Sequence, residues 1–405
     1  MTAETGQVTP RQAGATAAGA GAAPAEVPDL LYSDAENELR SAVRSLLQDR
    51  CGPHDVLART ETAQTYDTAL WAVVAAELGC GGLLIPERSG GAGATCREAA
   101  VVAEETGRAV APVPFLGSAV VATTALLAAG DDELLAGLAD GSVTAALAVP
   151  FEAAPGGRPV PTVRLGGPQA GAEEYRLTGA VTGAADALPA DVLLVPADGV
   201  PYGLYAVPAG AEGVSMTPVV SLDMTRQLAD VTFDGAPGRR VASGEAARGA
   251  LDAALAAGAG VLASELLGAA ERGLEITVAY LKERRQFGRP VGSFQALKHR
   301  VADLWAGVTQ ARAAARYAAA CLASGDPDMP VAVALAKAAC SDIAVRVAHE
   351  AVQMHGGIGF TWEHPAHLYL KRAMSSTIGF GTPDRHRAWL ARLVDLPAPA
   401  AATPR

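Results

Sequence analysis

Residues 280–299, YLKERRQFGRPVGSFQALKH, join two long helical patterns through a turn. A helix end rich in charge runs into Gly288-Arg289-Pro290, where proline stops any continuing helix. Arg284 and Arg285 lie beside the turn, and Gln295 falls in the first turn of the next helix. Helix-end arginines and free backbone N–H groups together can hold a pyrophosphate. A solvated charged helix end with an ordinary Gly-Arg-Pro turn has the same composition, so for this stretch alone both readings stand.

Working outward, apolar residues at helical spacing predict helices over about 245–285, 294–323 and 328–355, with Gly325-Asp326-Pro327 between the last two. A shorter helix is expected at about 384–394. Four helices of this kind suggest an antiparallel bundle over 241–396. Upstream, residues 143–240 change character. Short apolar runs such as Val143–Val149, Val192–Val195, Leu204–Val207 and Val231–Phe233 are punctuated by Gly, Pro and Asp. That pattern predicts a compact β domain rather than βαβ units. Helical spacing returns over 28–142, in Leu39, Val43 and Leu46–Leu47 and again in Leu70–Val74. Residues 1–27, an Ala/Gly/Thr/Pro mixture without periodicity, read as a disordered extension, and 397–405 as a tail. The fold class expected is α+β: a helical N-terminal domain, a central β domain and a C-terminal four-helix bundle.

The totals narrow the function. The chain has 405 residues, half of them hydrophobic, enough for two or three domains with buried cores. Its net charge of -11 does not suit non-specific binding to nucleic acid or an anionic membrane. Five scattered cysteines with no C-x-x-C pair point to reduced thiols, not to disulfides or zinc. Without a secretory n-region and h-region, or a continuous apolar run of about 18 residues, a soluble cytoplasmic protein is expected. His364 and His367 form an H-x-x-H, but further ligands are not evident and packing is the simpler role. Neither a G-x-S-x-G nucleophile motif nor a Walker loop is present.

A second informative segment is Gln353–Phe360, QMHGGIGF. Its glycines let a backbone approach a bulky ligand, and equally they can end a helix. It does not follow a strand, so it is not the dinucleotide fingerprint of a Rossmann fold. Together, YLKERRQFGRPVGSFQALKHRVAD and QMHGGIGF resemble the paired signature of the acyl-CoA dehydrogenase family, and ELGCGGLLIPERSGGAG (Glu77–Gly93) is similar to an N-terminal block of that family. The resemblance spans about residues 30–395 and implies FAD bound between subunits, against the β domain and the C-terminal helices. It implies Arg284, Gln286, Phe287 and Gln295 on one side of the FAD site, and Gln353, Gly356 and Gly357 on the side of the facing subunit. Thr382 matches a further adenosine-contacting position.

Departures from the family pattern carry as much information. The family base is a glutamate in a Y-E-G-T loop; counted without a gap from Pro365, that position is Phe380. Some relatives carry the glutamate on the first long C-terminal helix; aligned on YLKERRQFG, that position is Gly258. Neither side chain accepts a proton. The next acidic residue on the same helix face is Glu265, seven residues or about 10 Å farther along, and it is the candidate catalytic residue. The β domain also departs, with LAVPFEAAPGG and LTGAVTGAADAL where the family has flavin-ring contacts. Such features resemble a bacterial subgroup, some of whose members act as heteromeric pairs in steroid or unusual acyl-CoA breakdown.

The resemblance thus implies flavin-dependent α,β-dehydrogenation of an acyl-CoA or acyl-carrier thioester, with an electron-transfer acceptor. It also implies a homo- or hetero-oligomer, a dimer of dimers. The alternative is a catalytically silent subunit that completes FAD and substrate sites on a glutamate-bearing partner.

Overall fold

A computed structural model describes residues 29–157, 160–166 and 175–397. The expected N-terminal extension and nearly all of the tail lie outside the described residues. Among the described residues six α-helices come first: α1 (Asp34–Arg50), α2 (Pro53–Thr60), α3 (Thr68–Ala72), α4 (Cys96–Ala109), α5 (Thr123–Ala129) and α6 (Asp132–Ala139), with π-helical turns at Val73–Glu77 and Phe115–Ala122. Their starts are written in the sequence. The Ser33 hydroxyl accepts the Glu36 N–H while the Glu36 carboxylate accepts that of Ser33, and Thr95 and Glu98 form the same reciprocal cap at α4.

Seven strands follow: β1 (Ala145–Leu147), β2 (Val163–Gly166), β3 (Tyr175–Ala185), β4 (Val192–Asp198), β5 (Gly203–Pro208), β6 (Val214–Pro218) and β7 (Leu228–Ser243). Their pairings close on themselves in the order β4–β2–β3–β7–β5–β4. β1 lies parallel beside β4, and β6 antiparallel beside β7. Inward side chains such as Leu177, Val195, Tyr205, Val231 and Phe233 make a core separate from the helical one. Closure leaves few free strand edges.

The C-terminal part is α7 (Gly244–Glu283), a hairpin of β8 (Arg285–Gln286) and β9 (Arg289–Pro290), then α8 (Gln295–Ser324), α9 (Met329–His355), α10 (Ala366–Ile378) and α11 (Pro383–Leu393). The three long helices lie within two residues of their expected limits. α10 is an addition to the four helices expected. Its buried residues, Leu368, Tyr369, Arg372, Ala373 and Ser376, recur at helical spacing, but one of them is charged and two are polar, which hides the apolar face.

α7 is apolar on all sides because it is surrounded. By length and composition it could cross a membrane, yet 94% of its most apolar window is buried inside the protein. Where α4 crosses it, glycines face backbone reciprocally. A Cβ at Gly107 would lie 2.0 Å from the Glu265 carbonyl oxygen, and one at Gly268 would lie 1.8 Å from that of Glu104. Small residues let these two axes approach closely and fix the depth at which α7 threads the molecule.

Candidate active site

Three features stand out: a cavity at the C-terminal end of α7, a second cavity between the sheet and α10, and a closed contact near Gly258. The first encloses about 410 Å³ and is lined by Arg284, Gln286, Phe287, Gln353, Gly356 and Gly357, among others. Arg284 caps α7 and turns into the hairpin, whose tip carries Phe287 and Gly288 at φ 51° and 77°. The twist of a two-residue hairpin demands these left-handed values. It leaves the Phe287 ring 88% exposed. Gly356 ends α9 at φ 63° and ψ -139°, a conformation open to glycine and strained for other residues.

The blocks that the resemblance assigns to facing subunits therefore line one cavity of a single chain. The hairpin folds back beside the α9 terminus, a proximity that sequence distance concealed. Gln295 opens α8 beside this cavity, its amide 3.4 Å from His299 Nε2. Thr382 is not part of it. That residue caps α11, its hydroxyl accepting the Arg385 N–H.

His355 supplies a further polar group to the same cavity. Its Nδ1 donates to the Ala351 carbonyl at 2.6 Å, while Nε2 is buried without a partner. Burial lowers its pKa, which keeps the ring neutral and Nε2 an acceptor. The ring stacks between Tyr280 and His364, so the H-x-x-H contributes packing at this position. A guanidinium, two amides, aromatic rings and glycines with no neighbour at their Cβ positions form a donor set that fits a dinucleotide.

The second cavity, about 520 Å³, lies between the sheet and α10. Phe151, Leu222, Met374 and Ile378 make its apolar walls, and Thr182, Glu152 and Asp230 add polar groups. Such walls suit a flat amphipathic ring.

Phe380 and Gly258 form the third feature. The Phe380 ring is only 5% exposed and stands edge-on to Phe151, with centroids 5.6 Å apart at 71°. A Cβ on Gly258 would lie 2.8 Å from Phe380 Cζ and 3.0 Å from Val121 Cγ2. The two positions that the resemblance matches to the family base thus touch each other here, and neither bears a carboxylate.

Glu265, the candidate base, lies in a buried cluster of opposite charges. It is 5% exposed and ion-paired to Arg226, with Arg372 Nε 3.5 Å from the same oxygen. Arg372 also reaches Asp223 at 3.7 Å. Burial opposes ionisation of Glu265, but Arg226 and Arg372 outweigh it and hold the carboxyl below the usual range. A carboxylate held by two arginines is a weak base, and Glu265 lines neither cavity. Its geometry is that of a tie between α7, α10 and the segment entering β7.

Sequence reasoning missed Phe151, Arg226, Arg372, Lys337 and His386. Lys337, fully buried on α9, donates to Ser341 Oγ and to the carbonyls of Thr377 and Gly381 at 3.1–3.2 Å. Burial pushes its pKa down to about 7. A lone lysine in VAVALAKAAC was the available signal.

The sequence models described as acyl-CoA dehydrogenase N-terminal domain and C-terminal domain match residues 33–141 and 248–394. The acyl-CoA dehydrogenase IpdE2 of Mycolicibacterium smegmatis is 37% identical over 351 residues, covering 87% of this chain and 96% of that one. The ChsE4-ChsE5 complex from Mycobacterium tuberculosis contains a chain that superposes with a TM-score of 0.80 at 29% identity, covering 92% of this chain and all of that one. A chain of the Tcur3481-Tcur3483 steroid ACAD gives 0.77 at 30% identity, covering 89% of this chain and 98% of that one. Helical, barrel-like and helical parts in this order, with these cavities, define a flavoprotein dehydrogenase fold. The chain belongs to the acyl-CoA dehydrogenase family.

Proposed function

We propose that this chain is a subunit of an FAD-dependent enzyme that α,β-dehydrogenates an acyl-CoA thioester. In this reading it supplies cofactor-holding groups while a related, glutamate-bearing chain supplies the base. One observation carries the proposal: Phe380 and Gly258 fill both base positions and pack on each other. The two solved relatives whose titles name paired chains support it.

FAD, the usual cofactor of the family, supplies the acceptor for the β-hydride when bound. Arg284 would pair with a pyrophosphate oxygen, with Gln286, Gln295 and Gln353 donating around it. Phe287 would cover an adenine face, and Gly356 and Gly357 would let the backbone approach. Thr382 remains a proposed contact, from the other side of the Phe380 turn. Thr182 and Gly183 would border the ring.

The acidity step needs a positioned carboxylate, commonly worth about 10²–10⁴ in rate. Neither base position offers one here, and Glu265 is held by Arg226 and Arg372. Anaerobic titration with a panel of acyl-CoAs, followed by loss of flavin absorbance, tests the reading. The chain alone should leave its flavin oxidised, and co-expression with a glutamate-bearing relative should restore bleaching. Bleaching by the chain alone that disappears in Glu265→Gln would reinstate Glu265 as the base and defeat the proposal.

A further inference from the structure

We infer that Phe380 is a steric stopper that closes the acyl site of this chain, so that the chain not only lacks a base but also admits no acyl thioester beside α7. The inference rests on the proposed function: a base that removes the α-proton must touch the acyl chain, so the acyl site of such a fold lies next to the two base positions.

Loss of a base requires only a side chain that is not a carboxylate. What occupies the position is more specific than that. The Phe380 backbone is left-handed, at φ 52°, which a bulky residue adopts only when its surroundings impose it. The imposing contacts surround the turn. The Phe380 N–H donates to the Phe151 carbonyl at 2.7 Å, and its carbonyl accepts from His386 Nε2 at 2.9 Å. Lys337 holds the next carbonyl, that of Gly381.

So anchored, the ring points at α7 and meets the one residue there without a side chain. Gly258 and Phe380 are complementary: the ring occupies the volume that any Cβ at 258 would need. Phe151 closes the side facing the sheet, and Val121 lies within reach of the same point. A thioester approaching from the cavity at Phe151 would have to displace the ring, which is confined by its edge-on contact with Phe151 and by α7 at Gly258. The expected consequence is one acyl-thioester site per glutamate-bearing partner and none per copy of this chain.

Equilibrium dialysis with butanoyl-CoA measures this directly, on the FAD-loaded chain alone and on its assembly with a glutamate-bearing relative. Wild-type chain alone should bind none. Phe380→Leu and Phe380→Ala should each add one site per copy, with affinity raised on the order of tenfold or more. Melting temperature and FAD content establish that the variants are folded. A wild-type chain that binds one equivalent overturns the inference, whether or not either variant folds. A folded variant that binds no more than wild type also overturns it. Flavin absorbance in the same samples separates the two ideas. Binding without bleaching by the wild-type chain sinks the stopper and leaves the proposed function standing, whereas binding with bleaching sinks both.

Discussion

Gly258 shows how a single absent side chain is read differently with and without its neighbours. In the sequence it is a position where a glutamate is missing. In the fold it is the floor on which an aromatic ring rests. Gly258→Ala should destabilise the protein by about 1–3 kcal/mol, the usual penalty of overpacking. Phe380→Leu should relieve part of that penalty, so urea unfolding of the two single variants and the double variant should show coupling instead of additivity. His386 belongs to the same turn and makes it sensitive to acid. Burial, with Lys337 nearby, depresses its pKa to about 4, because the protonated ring would place a charge on a buried Nδ1 with no partner. The native state therefore binds fewer protons than the unfolded chain between pH 6.5 and 4. Stability from this group is fully present above 6.5 and is lost as pH falls toward 4. At pH 5 the loss is about 2 kcal/mol. Thermal melts at pH 7 and pH 5 check it: His386→Gln should flatten the difference.

Helices α7, α8 and α9 were legible because each repeats its apolar positions over many turns, and α8 and α9 end at Gly325 and Gly356. α10 was not, since Arg372 and Ser376 occupy buried positions that a hydrophobic pattern assigns to solvent. β2, β3 and β6 were missed for a related reason. β3 alternates small and polar residues on a curved, bulged strand, and only pairing with β2 and β7 makes it a strand at all. The α4–α7 crossing offers a sharper test of element packing. A Cβ at Gly268 meets backbone, which cannot swing aside as a side chain can. Gly268→Ala should therefore force the two helices apart and destabilise by about 3 kcal/mol, at the upper end for overpacking. A denaturant midpoint unchanged from wild type would contradict this account of the crossing.

The two cores are held together by charge as well as by apolar packing. Glu265 on α7, Arg372 on α10, and Arg226 and Asp223 ahead of β7 are all buried, and the Asp186 carboxyl, which burial pushes up to about 6, lies nearby on the sheet side. Removing one partner leaves an uncompensated buried charge, so Glu265→Gln should cost about 3–5 kcal/mol of stability. It should lower the melting temperature while FAD affinity per folded molecule stays unchanged. Arg284→Ala should do the reverse. It should weaken FAD binding by about 1.5–3 kcal/mol, read by flavin fluorescence titration, and leave the melting temperature of the FAD-free protein nearly unaltered. On the outside, Phe287, Trp305, Phe360 and Trp362 are exposed large apolar side chains of the C-terminal part. Burying them in an oligomer would remove that surface from water, and light scattering at micromolar concentration should give a mass above the monomer.

Order along the chain is what the sequence determined by itself. Periodicity of 3.6 against short apolar runs separates helical, sheet and helical segments. Two motifs, at Arg284–Gln295 and Gln353–Gly357, carry the family resemblance, and through it the proposed cofactor end. Contacts between remote segments were decided only by tertiary structure. The fate of Glu265 and the meeting of Phe380 with Gly258 join positions from 39 to 122 residues apart in the chain, and closure of the sheet pairs Val163 with Ala197. A carboxylate looks available in a sequence until the fold brings Arg226 and Arg372 to it. Likewise, an empty glycine looks like room until a ring from another element fills it, because packing volume and charge pairing are properties of neighbours in space.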